Sequence, residues 1–223
     1  MGQAIGQMLV MAVGVALSPL PIIAVVLLLA GQNGKAKGIS FVVGSVVSTA
    51  IVGGVLVAIG VGSGTSSDGG PSGGTSTLKV VLGLLLIGLA AKQWRGRPLE
   101  GEGTTMPKWM GALDSFTTPK AFGAGVVLNV LNPKNLLLIV AGATAVAGAG
   151  ATDAQEAVAW IVFTVIAAIG VSTPVVIALS MGDRADVLLE RLKAWMARNN
   201  GVIVAVILLL IGVKLLGDGL GGF

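Results

Sequence analysis

The 223-residue sequence contains no cysteine and no histidine, and only 11% of its residues are charged. Without cysteine the chain forms no disulfide, iron-sulfur centre or thiol redox motif. Without histidine, a zinc site and histidine-based acid-base catalysis are strongly disfavoured. An ordinary soluble domain has roughly a quarter of its residues charged. The composition therefore argues against a soluble protein and against most redox and hydrolytic enzymes, and we expect no metal and no cofactor.

Apolar residues, by contrast, are abundant. They make up 54% of the chain, and the mean hydropathy is +0.95. A bilayer crossing needs roughly 20 predominantly apolar residues, so the composition has room for about six helices. The sequence predicts an all-α polytopic membrane protein with six transmembrane helices at about residues 7–30, 38–62, 75–94, 119–148, 154–181 and 199–217. The third is the weakest, and a low-complexity linker at 62–77 precedes it.

The basic residues are distributed unevenly between the predicted loops. Eleven of the fourteen follow spans one, three and five: Lys35, Lys37, Lys92, Arg95, Arg97, Lys108, Lys120, Arg184, Arg191, Lys193 and Arg198. Cytoplasmic loops carry an excess of lysine and arginine. We therefore expect a multi-pass protein of the inner (plasma) membrane with both termini outside the cytoplasm.

The segment 183–198 combines apolar and charged residues at helical spacing. Leu188, Leu192, Trp195 and Met196 share one helical face, and charged residues occupy the remainder. This pattern predicts an interfacial helix on the inner leaflet. A short solvated connector helix is the alternative.

Three dipeptides place a capping residue before proline inside an apolar span: Ser18-Pro19, Asn132-Pro133 and Thr173-Pro174. Serine, asparagine and threonine serve as N-caps, and proline suits the first helical position. Each dipeptide therefore predicts a break or kink in mid-membrane, where proline frees the carbonyl four residues earlier. Pro21 predicts a second interruption in span one.

The proline positions also indicate an internal repeat. Pro133 lies 114 residues after Pro19, and the same offset overlays span two on span five. Because each half has three spans, the halves insert with opposite orientation, a pattern found in many secondary transporters. We expect a first three-helix repeat at 1–95, a cytoplasmic linker at 96–118 and a second repeat at 119–223 that includes the interfacial helix.

The cluster Asn132-Pro133-Lys134-Asn135 is the clearest candidate binding site. A lysine in mid-span costs roughly 2.5 to 3.5 kcal/mol on insertion scales, and no acidic residue lies deep in any predicted span. A helix restarting at Asn132 adds its positive dipole end to the ammonium group. We expect Lys134, Asn132, Asn135 and Asn129, with Ser18 and Thr173, to bind an anionic or sugar headgroup. The alternative is that Lys134 snorkels outward or pairs internally, and that Pro133 only kinks the helix.

Span two carries a stripe of small, weakly polar residues: Gly44, Ser45, Ser48 and Thr49. Small residues let helices approach closely, and hydroxyls can bond to carbonyls that neighbouring prolines free. Helix packing is the expected role of this stripe.

The stretch from Pro107 to Asn135 resembles the GAP family, the peptidoglycolipid-addressing or sulfolipid-addressing proteins of actinobacteria, which belong to the LysE transporter superfamily. The shared features are Pro107, Trp109, Leu113-Asp114, Ala121-Phe122-Gly123 and the cluster at 132–135. The first span, with Ser18-Pro19-Leu20-Pro21 and the basic loop 34–38, is similar to the superfamily's first helix.

The resemblance implies an inner-membrane exporter or translocase that delivers cell-envelope glycolipids. Two other functions remain open: export of a small solute such as an amino acid or ion, and a non-transporting membrane scaffold for envelope-synthesis enzymes. An enzyme is not expected, because no nucleophile-base or carboxylate pair lies in the membrane interior. Membrane lipids or glycolipids are the expected partners, nucleic acid is not, and a homodimer is left open.

Overall fold

The computed structural model describes residues 2–60, 73–96, 113 and 115–221. The described residues form eight α-helices, and no strand lies among them. In chain order the helices are α1 (Gly2–Ala16), α2 (Pro19–Ala30), α3 (Gly34–Ala58), α4 (Gly73–Arg95), α5 (Thr118–Val130), α6 (Pro133–Ala147), α7 (Asp153–Met181) and α8 (Ala185–Leu220). The prediction of an all-α chain is confirmed for these residues. Most of both predicted linkers, 62–77 and 96–118, lies outside the described residues, as do Pro107, Trp109 and Asp114 of the family motif.

Two pairs of consecutive helices are bent at a short break. The axes of α1 and α2 differ by 40°, and those of α5 and α6 differ by 69°. The breaks fall at Ser18-Pro19 and Asn132-Pro133, two of the three predicted positions. At each break the N-cap residue is extended and proline begins the next helix, as the sequence pattern predicts.

The number of candidate membrane spans among the described residues is three to five. Helices α3, α7 and α8 are each long and apolar enough to cross a bilayer, and the two bent pairs bring the number to five. Helix α4, the weakest span in the sequence, is a 23-residue helix outside this set. The six-span layout and the inverted repeat therefore remain predictions.

The predicted break at Thr173-Pro174 is wrong, because α7 continues from Asp153 to Met181 without interruption. The Thr173 hydroxyl donates backward to the Ile169 carbonyl at 2.7 Å, whereas Asn132 accepts forward from the backbone N–H of Lys134. A backward bond of this kind is compatible with an uninterrupted helix.

Pro21 does not interrupt span one a second time. It lies in the first turn of α2, three residues after the N-cap Ser18. The N–H groups of a first turn have no partner within the helix, so proline is tolerated there. Span one therefore has one break instead of two.

The structure also corrects the separate interfacial helix predicted at 183–198. Residues 182–184 form a 3-10 turn, and α8 then runs unbroken for 36 residues to Leu220. No helix boundary forms at Asn199. Its side-chain amide instead donates to the Trp195 carbonyl one turn earlier in α8. The basic segment and the apolar segment are therefore two halves of one continuous helix. A helix of this length spans about 54 Å.

The interior of the described part contains three apolar clusters, and polar residues separate the two larger ones. One cluster groups Met8, Leu138, Phe163 and Ile211 with their neighbours; the other is built around α2 and includes Phe41 and Val175. In both bent pairs and in α3, residues of one cluster come first, buried polar residues follow, and residues of the other cluster come after them. The helix breaks therefore lie in a buried polar layer between two apolar halves.

Helices α3 and α5 cross at very short distance within this framework. A Cβ atom added to Gly44 would collide with the Phe122 carbonyl oxygen, and one added to Gly125 would collide with the Phe41 carbonyl oxygen. Only glycine at both positions allows the two backbones to approach this closely. The packing role expected for Gly44 is confirmed, and the crossing brings α5 against the hydroxyl groups of α3.

Candidate functional site

The buried polar layer gathers most of the side chains that the sequence selects as candidates. Each of its seven members is at most 6% exposed. The layer consists of Ser18, Ser45, Ser48, Thr49, Asn129, Lys134 and Asn135. Such groups are costly in an apolar interior unless they are hydrogen-bonded, so their bonds show how the layer is built.

The two helix breaks have nearly the same backbone geometry. Ser18 has φ −77° and ψ 108°, and Asn132 has φ −74° and ψ 112°. Asn132 Oδ1 accepts from the Lys134 backbone N–H at 3.1 Å. The Ser18 hydroxyl oxygen, by contrast, has no hydrogen-bond partner among the described residues although Ser18 is 2% exposed. The α2 break therefore carries a hydroxyl that is free to bind a ligand.

Lys134 holds the C-terminal end of α1. Its Nζ atom donates to the Gly14 carbonyl oxygen at 2.8 Å. That carbonyl would ordinarily accept from the N–H of Ser18, but the break turns this N–H to Val15 instead. The ammonium group thus lies at the negative end of the α1 dipole. This contact differs from both alternatives considered for Lys134, outward snorkelling and an internal ion pair.

The positive charge of Lys134 has no counter-charge in the part of the chain that the structure describes. The ion pairs found there, Lys193–Glu190 and Lys214–Asp218, both lie elsewhere. Lysine has three N–H donors, and Gly14 takes one of them. Two donors and a net charge therefore remain available to an anion.

Asn129 is the centre of a hydrogen-bonded ladder between α5, α6 and α3. Its amide nitrogen donates to Thr49 Oγ1 at 2.6 Å and to the Ser45 carbonyl at 3.0 Å. Its oxygen accepts from the Asn135 amide at 3.1 Å. Ser48 is the weakest member, at 3.3 Å from the Asn129 nitrogen. The ladder fixes the orientation of both amides, because reversing Asn129 would set its oxygen against the Ser45 carbonyl.

The two breaks open into one cavity of about 280 Å³. From the breaks it is lined by Ser18, Pro19, Asn132, Pro133 and Lys134, and from α4 and α8 by Lys92, Gln93 and Asn200. The N-terminal ends of α2 and α6 thus meet two lysines in the same space. Helix N-termini and ammonium groups both attract anions, so the cavity has the electrostatics of an anion site.

The predicted site residues divide into three groups. Ser18, Asn132 and Lys134 line the shared cavity, together with Pro19 and Pro133. Asn129 and Asn135 line a second, smaller cavity, which Lys134 does not line. Thr173 belongs to neither, since its side chain is exposed and bonds within α7.

Several cavity residues were not among the sequence candidates. Lys92 and Gln93 follow the apolar centre of α4, where the positive-inside pattern accounts for a lysine without any site. Asn200 lies in α8 next to the boundary predicted there. The sequence signal for Asn200 is the pair Asn199-Asn200 at the start of an apolar run. Side-chain amides are costly there without hydrogen-bond partners, so the pair indicates a polar contact.

The described residues contain no group of three or more aspartate, glutamate, histidine or cysteine side chains able to hold a metal ion. The ammonium, amide and hydroxyl groups of the layer offer recognition by charge and hydrogen bonding. A cavity of this size accommodates a headgroup or small solute, since sites for drug-sized ligands begin at roughly 300 Å³.

The described residues are helical, with several long apolar helices and with broken helices that meet in a buried polar layer. These features are those of a polytopic membrane protein. Comparison with known families narrows this class. Residues 8–221 match the family described as Sap, sulfolipid-1-addressing protein. The match covers nearly the whole sequence, so the chain belongs to this family, and the resemblance to the GAP family is confirmed. No curated protein and no solved structure gives a significant match.

Proposed function

We propose that this protein is an inner-membrane exporter or translocase of cell-envelope lipids or glycolipids. The observation that carries the proposal is Lys134, a buried cation with no acidic partner among the described residues, lining a cavity between two helix breaks. The family description, which refers to sulfolipid addressing, supports an anionic lipid substrate. A sulfate or phosphate headgroup would supply the charge that Lys134 lacks.

The exterior of the molecule supports a lipid substrate. Large apolar side chains are exposed along the long helices, for example Ile51, Val165 and Leu210, each at 60% or more. Such a surface suits contact with acyl chains. Because the cavity holds only a headgroup-sized volume, the tails would remain in the bilayer while the headgroup crosses through the polar layer.

The packing of the helices supports the inverted repeat on which alternating access would depend. Each half begins with a broken helix and continues with two unbroken ones. The corresponding unbroken helices pack in pairs, α3 against α7 and α4 against α8. We propose repeats at 1–95 and 119–223 joined by a cytoplasmic linker at 96–118, with both termini extracytoplasmic, six spans, and the superfamily relationship to LysE transporters.

The direct test is transport by the purified protein in proteoliposomes. A fluorescent sulfated or phosphorylated glycolipid is placed in the inner leaflet, and its arrival outside is followed by dithionite quenching. Vesicles without protein and a zwitterionic lipid provide the controls. We expect protein-dependent movement of the anionic lipid at least tenfold faster than in empty vesicles; equal rates would contradict the proposal.

A small anionic solute would suit the same cavity, since about 280 Å³ holds an amino acid or an inorganic anion as readily as a headgroup. Thermal-shift measurements with amino acids, sulfate and phosphate against lipid extract separate the two substrates. Stabilisation only by a water-soluble solute would favour a solute exporter. A non-transporting scaffold predicts a different result. In that case, exchanging residues 93–118 or 183–198 would be more damaging than changing Asn132 or Lys134.

A further inference from the structure

The second cavity of the polar layer is distinct from the Lys134 cavity in chemistry and in size. It is enclosed between α1, α2, α3, α5, α6 and α7, and its interior of about 10 Å³ holds one water-sized occupant. Lys134 does not line it, although the neighbouring Asn135 does. The two cavities therefore meet neighbouring residues of the first turn of α6, Lys134 and Asn135.

The oxygens lining this cavity present lone pairs rather than hydrogens. Three hydroxyl groups each donate to a helix carbonyl: Ser45 to Gly125 at 3.2 Å, Thr49 to Ser45 at 3.0 Å and Thr164 to Trp160 at 2.9 Å. The Asn129 amide hydrogens are likewise committed within the ladder. An occupant thus meets acceptors whose own donors are already used.

One acceptor in the cavity has no partner at all. Asn135 is 1% exposed, and its Oδ1 atom accepts no hydrogen bond from any described residue. The orientation of this amide is fixed, because its nitrogen donates to Asn129 Oδ1. A buried, unpaired amide oxygen is costly, and its presence beside an enclosed space indicates an occupant that supplies positive charge or a donor.

A dehydrated alkali-metal ion satisfies this environment better than water does. Water would donate to two of the oxygens, but its own lone pairs would meet only the second N–H of the Asn135 amide, because the hydroxyl and Asn129 donors are already used. A cation needs only acceptors, and hard cations prefer oxygen ligands. No carboxylate lines the cavity, so its lining can compensate only a small positive charge. This favours a monovalent ion over a divalent one.

We propose that this cavity is a binding site for one alkali-metal ion, Na⁺ or K⁺, held by Ser45, Thr49, Thr164 and Asn135. This proposal rests on the proposed transport function, in which the ion would couple its own binding to that of the headgroup. Ion and headgroup would contact neighbouring residues of the first turn of α6, Asn135 and Lys134, so binding of one changes the helix end that the other contacts. Broken helices that hold ions through oxygen ligands beside the substrate are a recurring arrangement in transporters.

The test is equilibrium binding of radiolabelled Na⁺ to the purified full-length protein in detergent, competed by unlabelled Na⁺, K⁺ or choline. We expect saturable binding that Na⁺ or K⁺ displaces and choline does not. Thr164→Val removes one ligand without changing side-chain volume and should weaken binding at least tenfold, while Thr164→Ser should restore it. Thr144→Val is the matched control, because Thr144 makes the same backward bond to Val140 outside the cavity.

Three results would overturn the ion site: no saturable binding of either ion to the wild-type protein, displacement by choline, or unchanged binding in Thr164→Val. Lys134→Gln separates the site from the proposed function, since it should lose headgroup transport and keep ion binding. Ion binding without any lipid movement would uphold the site and refute the lipid substrate. Lipid movement that is equally fast when choline replaces both alkali ions would refute the coupling.

Discussion

Lys134 performs two tasks that one substitution can separate. It bonds the Gly14 carbonyl at the end of α1, and it supplies uncompensated positive charge to the cavity at the helix breaks. Lys134→Gln keeps an N–H donor on a side chain one atom shorter, and removes the charge. We therefore expect a folded protein that no longer moves an anionic headgroup.

The expected magnitudes follow from the geometry. A charged hydrogen bond contributes about 1.5 to 3 kcal/mol and a neutral one about 1 kcal/mol, so the bond to Gly14 weakens by about 1 kcal/mol. Removing a cation from the membrane interior recovers part of roughly 2.5 to 3.5 kcal/mol. The two changes oppose each other, and the melting temperature should stay within about 4 °C of wild type.

The loss of anion binding should be much larger. An anion about 4 Å from the ammonium gains about 4 kcal/mol at an effective dielectric constant of about 20, which corresponds to roughly a thousandfold in affinity. Headgroup dehydration removes part of this gain. We expect transport at subsaturating lipid to fall at least tenfold.

The assay pairs proteoliposome transport with thermal unfolding of the same preparations. Lys79→Gln is the control, because Lys79 lies in the first half of α4 and does not line the cavity; it should transport like wild type. Wild-type transport by folded Lys134→Gln would refute the role of the charge. A melting temperature lowered by more than about 10 °C would refute the separation of charge from structural bond.

Four further predictions concern packing, the ladder and the breaks. Gly44→Ala places a methyl group against the α5 backbone and should destabilise the protein by about 2 kcal/mol or more, whereas Gly123→Ala, whose Cβ meets nothing within 4 Å, should not; thermal unfolding compares the two. Asn129→Leu breaks the ladder and should cost about 2 to 4 kcal/mol, measured by the same melts; an unchanged melting temperature would contradict the ladder's role. Pro174→Ala should retain transport and raise stability by up to about 3 kcal/mol, because α7 is already continuous there; loss of transport would mean that this proline acts in the mechanism. Ser18→Ala should slow transport at least threefold with little change in stability, since its hydroxyl has no partner to lose; an unaltered rate would remove Ser18 from the site.

Of the three breaks predicted at a capping residue followed by proline, two are present in the structure. Ser18-Pro19 and Asn132-Pro133 begin helices as a capping residue followed by proline should. The same signal failed at Thr173, because a threonine hydroxyl can bond to either the preceding or the following turn. Which bond forms depends on the path of α7 past its neighbours, and that path is a tertiary property.

The polar layer shows a similar division. The sequence identifies Lys134 and its asparagines as too polar for a lipid-facing position, since composition and hydropathy set that cost. It does not show that Asn129 and Asn135 line a different cavity from Lys134, or that α4 and α8 complete the Lys134 cavity with Lys92 and Asn200. Those placements depend on contacts between residues about 40 to 180 positions apart.

The sequence by itself determined the class of protein, because scarce charge and long apolar runs are typical of helices that span a membrane. It also determined where two helices break, since proline and capping residues act within one turn. Only the tertiary structure decided the partner of Lys134, the continuity of α7 and α8, and the division of the polar layer into a cationic cavity and an acceptor-lined one. Each of these follows from which helices pack together, and helix packing is set by long-range shape complementarity that no local pattern encodes.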